Sequence, residues 1–265
     1  MALTAICAKI ISPIFSIKNP EAFQVRTALP IPQPSSLVGA LAYSLGVKNN
    51  LGLKAMNYVR KHVLAARVSI ESPLVILSPM ILRRFRVLDK GFERKEKGKK
   101  EPYARYLELL SQGLLNEARK IIEVELVDAL YREYVIAAKL KCIWILDEEF
   151  DSQVLYLIQR IGDTESLCSV VEAWSADCNK IRVDNIETKY LFPHHDYISN
   201  IEGAYVYVKM CDEERRLRNF IVPCERKVKT TRKGNKFTAY IPTKVKVSFT
   251  HSHEVFSVDN EFIIR

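Results

Sequence analysis

Tyr134-Val135-Ile136-Ala137-Ala138-Lys139-Leu140-Lys141-Cys142-Ile143-Trp144-Ile145-Leu146 is the stretch from which the rest of this chain can be read. Ile136, Ala138, Leu140, Cys142, Trp144 and Leu146 share one face of a period-two element, and that face has no polar position. The opposite face carries Lys139 and Lys141 among Val135, Ala137, Ile143 and Ile145. A helix would scatter these residues around its circumference, whereas a strand collects them.

Working outward, residues 3–11 alternate weakly and predict a first strand. An irregular passage follows, with Pro13, Pro20, Pro30, Pro32 and Pro34. A helix is expected from Ser35 or Ser36, either of which can cap it. Leu37, Ala40, Leu41 and Leu45 give it a buried face, and Gly46 suits a left-handed C-terminal cap. A second helix is expected over 51–61 with Asn50 as its cap, then strand over 64–77 interrupted at Pro73. Beyond the opening stretch, a helix over 149–160 ends at Gly162 and a strand covers 167–175. With 79–131 set aside, the order is strand, helix, strand, strand, helix, strand, the ferredoxin-like pattern.

The insertion 79–131 begins with a basic stretch and continues as helix from Pro102 to about Ile122, where Tyr103, Tyr106, Leu107 and Leu110 share a face. The tail from 186 is rich in Val, Ile, Tyr, Phe and Thr, with turn signals at Lys233-Gly234-Asn235 and Asp259-Asn260. The expected fold is therefore α+β. A ferredoxin-like domain over 1–180 contains the insertion 79–131, and an antiparallel β region covers 181–265. A second, degenerate ferredoxin-like unit in the tail is the alternative.

Charge is unevenly spread. Residues 83–100 hold nine cations (Arg83, Arg84, Arg86, Lys90, Arg94, Lys95, Lys97, Lys99 and Lys100) against three acids, a net of +6. Residues 215–236 hold nine more (Arg215, Arg216, Arg218, Arg226, Lys227, Lys229, Arg232, Lys233 and Lys236) against Glu225, a net of +8. The whole chain carries +9, so the remainder is slightly acidic. A weakly acidic body with two basic arms is the layout of a protein that holds a polyanion, and nucleic acid is the commonest one. The competing reading is two solvated loops that only confer solubility. Phe85, Phe92 or Tyr103 could stack on unpaired bases, although any one of them could equally be buried.

The segment Arg26-Thr27-Ala28-Leu29-Pro30-Ile31-Pro32-Gln33-Pro34-Ser35-Ser36-Leu37-Val38-Gly39-Ala40-Leu41 carries the densest local information. Prolines stiffen the approach, serines open the helix, and Gly39 in its first turn lets a backbone or ligand come close. Free N–H groups at a helix start suit a phosphate. Close packing of the helix on the sheet, with Gly39 at the crossing, is the structural alternative.

These residues resemble the CRISPR-associated Cas-five (Cas5) family, whose members show Pro-Pro-Ser-x-x-x-Gly-x-Leu here. Pro34, Ser35, Gly39 and Leu41 match, while Gln33 replaces the first proline, with Pro32 one step earlier. Ile161-Gly162-Asp163-Thr164-Glu165-Ser166-Leu167 is similar to the family's Leu-Gly-x-Ser/Thr-Glu-Ser-Leu turn. The resemblance covers about 1–180 and fades in the tail. It implies a RAMP-type, RRM-like domain with an inserted thumb, placed here at 79–131. It also implies a scaffold subunit of a type I (Cascade) surveillance complex in antiviral defence. Such a subunit holds the 5′ handle of the CRISPR RNA and packs on the neighbouring Cas-seven backbone subunit. Other Cascade subunits are further partners, and target DNA is met indirectly. The short chain and compact helical insertion fit the archaeal type I-A branch. Expected RNA contacts are Arg26, Ser35, Ser36, Gly39, Arg83, Arg84, Arg86, Lys90, Lys99, Lys100, Lys139, Lys141, Arg226, Lys227, Lys229, Arg232, Lys233 and Lys236.

Some members of that family cut precursor RNA without a metal, which requires a base for the 2′-OH and a cation for the phosphate. Candidates for that alternative are His194, His195, His251 and His253, none of which aligns with the family's catalytic residues. The expectation is therefore a protein that binds RNA without cutting it. An unrelated basic module that assembles with acidic proteins is the remaining reading. No cofactor is expected. There is no CxxC, and the spacing of the histidines with Cys211 or Cys224 is too irregular for zinc. Lys233-Gly234-Asn235 is a turn and not a phosphate loop. No G-x-S-x-G occurs. The six cysteines read as buried free thiols. No run of 18 apolar residues occurs, and Lys9 interrupts any leader-like start, so the expectation is cytoplasmic with no membrane partner.

Overall fold

The computed structural model describes residues 3–22, 27–87, 92, 98, 100–230 and 236–265. The chain forms two compact units, Met1–Ser78 with Glu133–Arg265, and Pro79–Arg132. No helix among the described residues is long and apolar enough to cross a membrane.

The opening stretch is the C-terminal part of β4 (Val127–Leu146), the axis of the first unit. It pairs antiparallel with β1 (Thr4–Phe15) and, on its other edge, with β2 (Val63–Ile70). The far edge of β1 takes β5 (Ser169–Thr188). The resulting order is β2-β4-β1-β5, with every neighbouring pair antiparallel. Both faces of β4 are buried. Leu140, Cys142, Trp144 and Leu146 meet helix α1 (Pro34–Asn49) and its surroundings, and Ile143 and Ile145 meet Cys178, Tyr190, Phe256 and Ile263. Trp144 is fully buried and its Nε1 donates to the Leu37 carbonyl at 3.0 Å, which fixes α1 on the sheet. Each fully buried Leu or Ile in such a core contributes about 1.5–3 kcal/mol.

The tail does not form a separate body. β5 pairs with β1 through residues 169–177 and with β12 (Val245–Val258) through residues 178–188. The expected division at 180 therefore falls inside one continuous strand. The sheet also includes β7 (Ile198–Glu202) and β13 (Glu261–Ile263) beside β12. A second sheet joins β6 (Phe192–Pro193), β9 (Leu217–Val222) and β8 (Val206–Cys211). At the other end, β3 (Val75–Phe85) pairs with β4, and β11 (Lys236–Pro242) and β10 (Cys224–Thr230) follow outward.

The second unit leaves by β3 and returns by β4. Its expected single helix is two, α3 (Pro102–Ser111) and α4 (Leu115–Ile121), because Gly113 at φ +73° breaks the path. A π turn over Ile122–Leu126 leads into β4.

Several local expectations are corrected. No serine caps α1. Pro34 occupies its first turn and Gln33 stands at the cap position without a side-chain capping bond. Gly46 lies inside α1, and Asn50, at φ 52° and ψ 39°, supplies the left-handed cap. Asparagine tolerates that conformation through local hydrogen bonding. Asn50 therefore ends α1 instead of starting α2, which runs Lys54–His62. The expected helix over 149–160 is a short 3₁₀ helix, Ser152–Leu157, opened by the Asp151 carboxylate accepting from Gln153 N–H at 2.9 Å. Its apolar residues do have helical spacing. Pairing of Gln159 with Cys168 and of Arg160 with Leu167 pulls the next residues into extended backbone.

All six cysteines are free. Burial pushes the Cys7, Cys168 and Cys224 thiols up to about 12. A thiol buried neutral favours the folded state below its ordinary value of 9.0, and that contribution is lost as pH climbs toward 12. Native-state labelling with iodoacetamide at pH 8 should leave the fully buried Cys7 and Cys224 unmodified under conditions that label all six cysteines in urea. Rapid native labelling of Cys7 would contradict the burial of β1.

Candidate nucleic-acid interface

Two motifs far apart in sequence meet in the first unit. A cavity of about 670 Å³ is lined by Ser35, Ser36, Gly39 and Tyr43 of α1, by Arg160, Gly162, Asp163 and Thr164, and by Gln33, Cys211 and Arg215.

Helix α1 divides cleanly. Pro34, Leu37, Val38 and Leu41 are buried, while Ser35, Ser36, Gly39 and Tyr43 face outward. A side chain at Gly39 would meet nothing within 4 Å. The glycine is not at a helix–sheet crossing; it opens the cavity floor. Tyr43, one helical turn on, is 44% exposed, so its ring is free to stack on a base. The uncapped helix start adds the positive end of the backbone dipole.

The Gly162 turn is built for shape. Gly162 sits at φ +111°, where an added Cβ would lie 2.7 Å from Ile17 Cγ1 and 3.2 Å from the Ser16 carbonyl. Ser166 is buried, and its Oγ accepts from Ser16 N–H at 3.0 Å. Glu165 accepts from the Tyr134 hydroxyl at 3.2 Å. These residues hold the turn against β1, leaving Asp163, Thr164 and the preceding Arg160 on the cavity wall.

The third side is the β8–β9 hairpin. Asp212 accepts from the N–H groups of Glu214 (3.0 Å) and Arg216 (2.7 Å), an Asx-type turn. That turn holds Arg215 at φ 66°, a conformation a non-glycine residue adopts at a cost. Gln33 ties the hairpin down, its Oε1 accepting from Cys211 N–H at 3.1 Å. The glutamine that departs from the family-like motif therefore has a positioning role that proline could not fill. Arg160 and Arg215 are exposed and have no acidic partner among the described residues. Two free guanidiniums, a helix start and an exposed phenol around one cavity suit a phosphate backbone with an unstacked base.

Of the contacts expected from sequence, Ser35, Ser36 and Gly39 are in this cavity. Arg26, Lys90, Lys99, Arg232 and Lys233 lie outside the described residues. Arg83 and Arg84 are on β3 and Lys236 opens β11, but their side chains also lie outside the described set. Arg86 pairs with Asp128 at 3.1 Å and Lys100 with Glu108 at 2.7 Å. Lys141 is not offered to solvent. It is half-buried and bonded to Glu261 at 2.5 Å, because a lysine on a covered sheet face needs a counter-charge. Lys139 is exposed on β4. Lys227 pairs with Glu225 at 2.9 Å, and Arg226 and Lys229 are exposed on β10. Arg160, Arg215 and Tyr43 were missing from the expectation. Arg160 and Tyr43 were signalled only by proximity to the two motifs, and Arg215 only as the first cation of the basic run 215–236.

The four histidines do not form one site. His251 is exposed, and His194 sits edge-on to Tyr207 at 5.4 Å. His195 and His253 both stack on Tyr197, at 4.7 Å and 3.8 Å. The phenol ring occupies the space between the two imidazoles where an acid–base pair would flank a phosphate. Among the described residues, no group of three or more His, Cys, Asp or Glu is arranged to hold a metal.

Over 163 residues, 61% of this chain and 62% of the relative, the chain is 29% identical to a CRISPR-associated protein Cas5 of Thermoproteus tenax. Over 187 residues, 65% of this chain and 64% of the relative, it is 27% identical to a CRISPR-associated protein Cas5 of Methanocaldococcus jannaschii. It thus spans less than two thirds of the length of either curated relative. The crystal structure of a CRISPR protein from Archaeoglobus fulgidus covers 98% of this chain and 97% of its own, with a TM-score of 0.56 at 14% identity, a likeness of fold. No protein-family model matches.

Proposed function

We propose that this chain, similar over part of its length to two Cas5 proteins, is a member of the CRISPR-associated Cas5 family and a non-catalytic, RNA-holding scaffold subunit of a CRISPR surveillance complex. The observation that carries the proposal is the convergence of the two family-like motifs on one cavity with two arginines that have no acidic partner among the described residues. The occupant we propose is the 5′ handle of the CRISPR RNA. Its phosphates lie against Arg160, Arg215 and the start of α1, and one base rests on Tyr43. In this reading the β2-β4-β1-β5 core is a ferredoxin-like unit and Pro79–Arg132 its thumb, a Cas-seven subunit is the neighbour in a type I assembly of the I-A branch, and target DNA meets the guide.

The second reading, an endoribonuclease, is favoured only by the meeting of His195 and His253 in one place. One experiment addresses both. Labelled single-stranded repeat RNA is incubated in EDTA with the wild type, with Gly39→Leu, and with a variant carrying alanine at His194, His195, His251 and His253. The expected result is binding without cleavage. Gly39→Leu should keep its melting temperature, since leucine is the better helix former by up to about 1 kcal/mol and meets no protein atom within 4 Å. It should bind RNA about ten-fold or more weakly, because it fills the cavity floor. Cleavage abolished by the histidine substitutions would replace the scaffold reading with the nuclease one. Undiminished binding by Gly39→Leu would remove the cavity as the RNA site.

A further inference from the structure

A second cavity, of about 440 Å³, shares no lining residue with the first. It lies where the end of α2 meets β9 and β12, with Arg60, Arg67, His195, Tyr197, Arg218 and His253 among its walls. We propose that it binds the phosphate of a nucleotide, with the stacked His195–Tyr197–His253 column as the wall for the base.

The charge balance supports an anion. Every acid lining the cavity is already engaged. Asp212 pairs with Arg218 at 2.8 Å, and Glu213 accepts from Ala66 N–H at 2.8 Å and from the buried Arg67 guanidinium. Glu214 pairs with Arg216 at 2.7 Å and Glu254 with Lys180 at 2.8 Å. Arg67 is spent, since its Nε also donates to the Ile264 carbonyl at 2.9 Å. Arg60 is different. Its Nε is buried without a hydrogen-bond partner, and it has no ion pair among the described residues. A desolvated guanidinium donor without an acceptor is costly unless a ligand completes it. Arg265 lines the same cavity, also without an ion pair among the described residues.

The cavity lining is also aromatic. His195 and His253 lie within 21° and 18° of the Tyr197 plane, giving a flat column of three rings. Arginine beside flat rings is the pairing that nucleotides require, phosphate on one and base on the other. The volume lies within the roughly 300–1,000 Å³ of small-ligand sites. The inference does not depend on the RNA reading of the α1 cavity.

The test is calorimetric titration of the full chain with adenosine 5′-monophosphate, adenosine, inorganic phosphate and succinate. The monophosphate should bind, adenosine and phosphate about ten-fold or more weakly each, and Arg60→Gln should lose about ten-fold in affinity for the monophosphate while Arg60→Lys retains part of it. Competition by a short oligoribonucleotide with a 5′-phosphate, but not with a 5′-hydroxyl, would identify the source as an RNA end. Absence of competition by both would identify a free nucleotide. No heat with the monophosphate, equal affinity in Arg60→Gln with an unchanged thermal melt, or succinate binding as tightly would overturn the proposal.

Discussion

Arg160→Glu combined with Arg215→Glu is expected to weaken binding of single-stranded RNA by about 100-fold or more at low salt. Both side chains are exposed and without acidic partners among the described residues, so reversing them breaks no internal ion pair and should leave the melting temperature unchanged. Each phosphate contact on a single strand contributes about 0.7 to the log–log salt slope, so the double variant should lower the slope by about 1.4. The comparison variant is Lys100→Glu with Lys227→Glu, whose targets already have acidic neighbours. Fluorescence anisotropy across a salt series separates the two. Equal losses in both variants would mean that overall basicity, and not this cavity, holds the RNA.

Gly162→Ala should be the most damaging single substitution in the turn, destabilising the fold by about 3–5 kcal/mol. The backbone at φ +111° disfavours any side chain, and the new Cβ would meet Ile17 and the Ser16 carbonyl, the latter part of a backbone that cannot swing away. Against a typical total of about 5–15 kcal/mol this is a large fraction. Urea unfolding monitored by tryptophan fluorescence measures it. Gly39→Ala is the control, because its Cβ meets nothing within 4 Å. Similar midpoints for the two alanine variants would show that the turn at 162 adapts.

How far the sequence could be read depended on what sets each feature. β4 was legible because alternation over a dozen residues has one structural solution. The strands 3–11, 64–77 and 167–175 were legible in place but not in extent. β5 continues to Thr188 because β12 offers it a second partner, which no local pattern records. The helix caps were misread because serine, asparagine and proline compete for the same ends, and Gln33 serves Cys211 instead of its own helix. The helix over 149–160 failed because tertiary pairing of Gln159 and Arg160 overrode a helical spacing. In the site, the motifs led to Ser35, Ser36, Gly39 and Gly162. Counting basic residues reached only Arg215 of this site, since density along the chain does not reveal which cations are already neutralised. Arg86, Lys100, Lys141 and Lys227 each have an acid, and Arg160 stands in no basic run.

The continuity of β5 also sets a timetable. Its first half closes on β1, which precedes it in the chain, and its second half waits for β12, which follows it. Pairings this distant in sequence make for slow, high-contact-order folding. During synthesis, the edge of β5 over residues 178–188 stands open for as long as β12 is missing, a window for mispairing. The α1 cavity is later still than its own helix, because its third wall arrives with Arg215. On the proposed function, a nascent chain cannot grip RNA early and fold around it; affinity would appear only once the hairpin has docked, which would make RNA retention a report on completed folding.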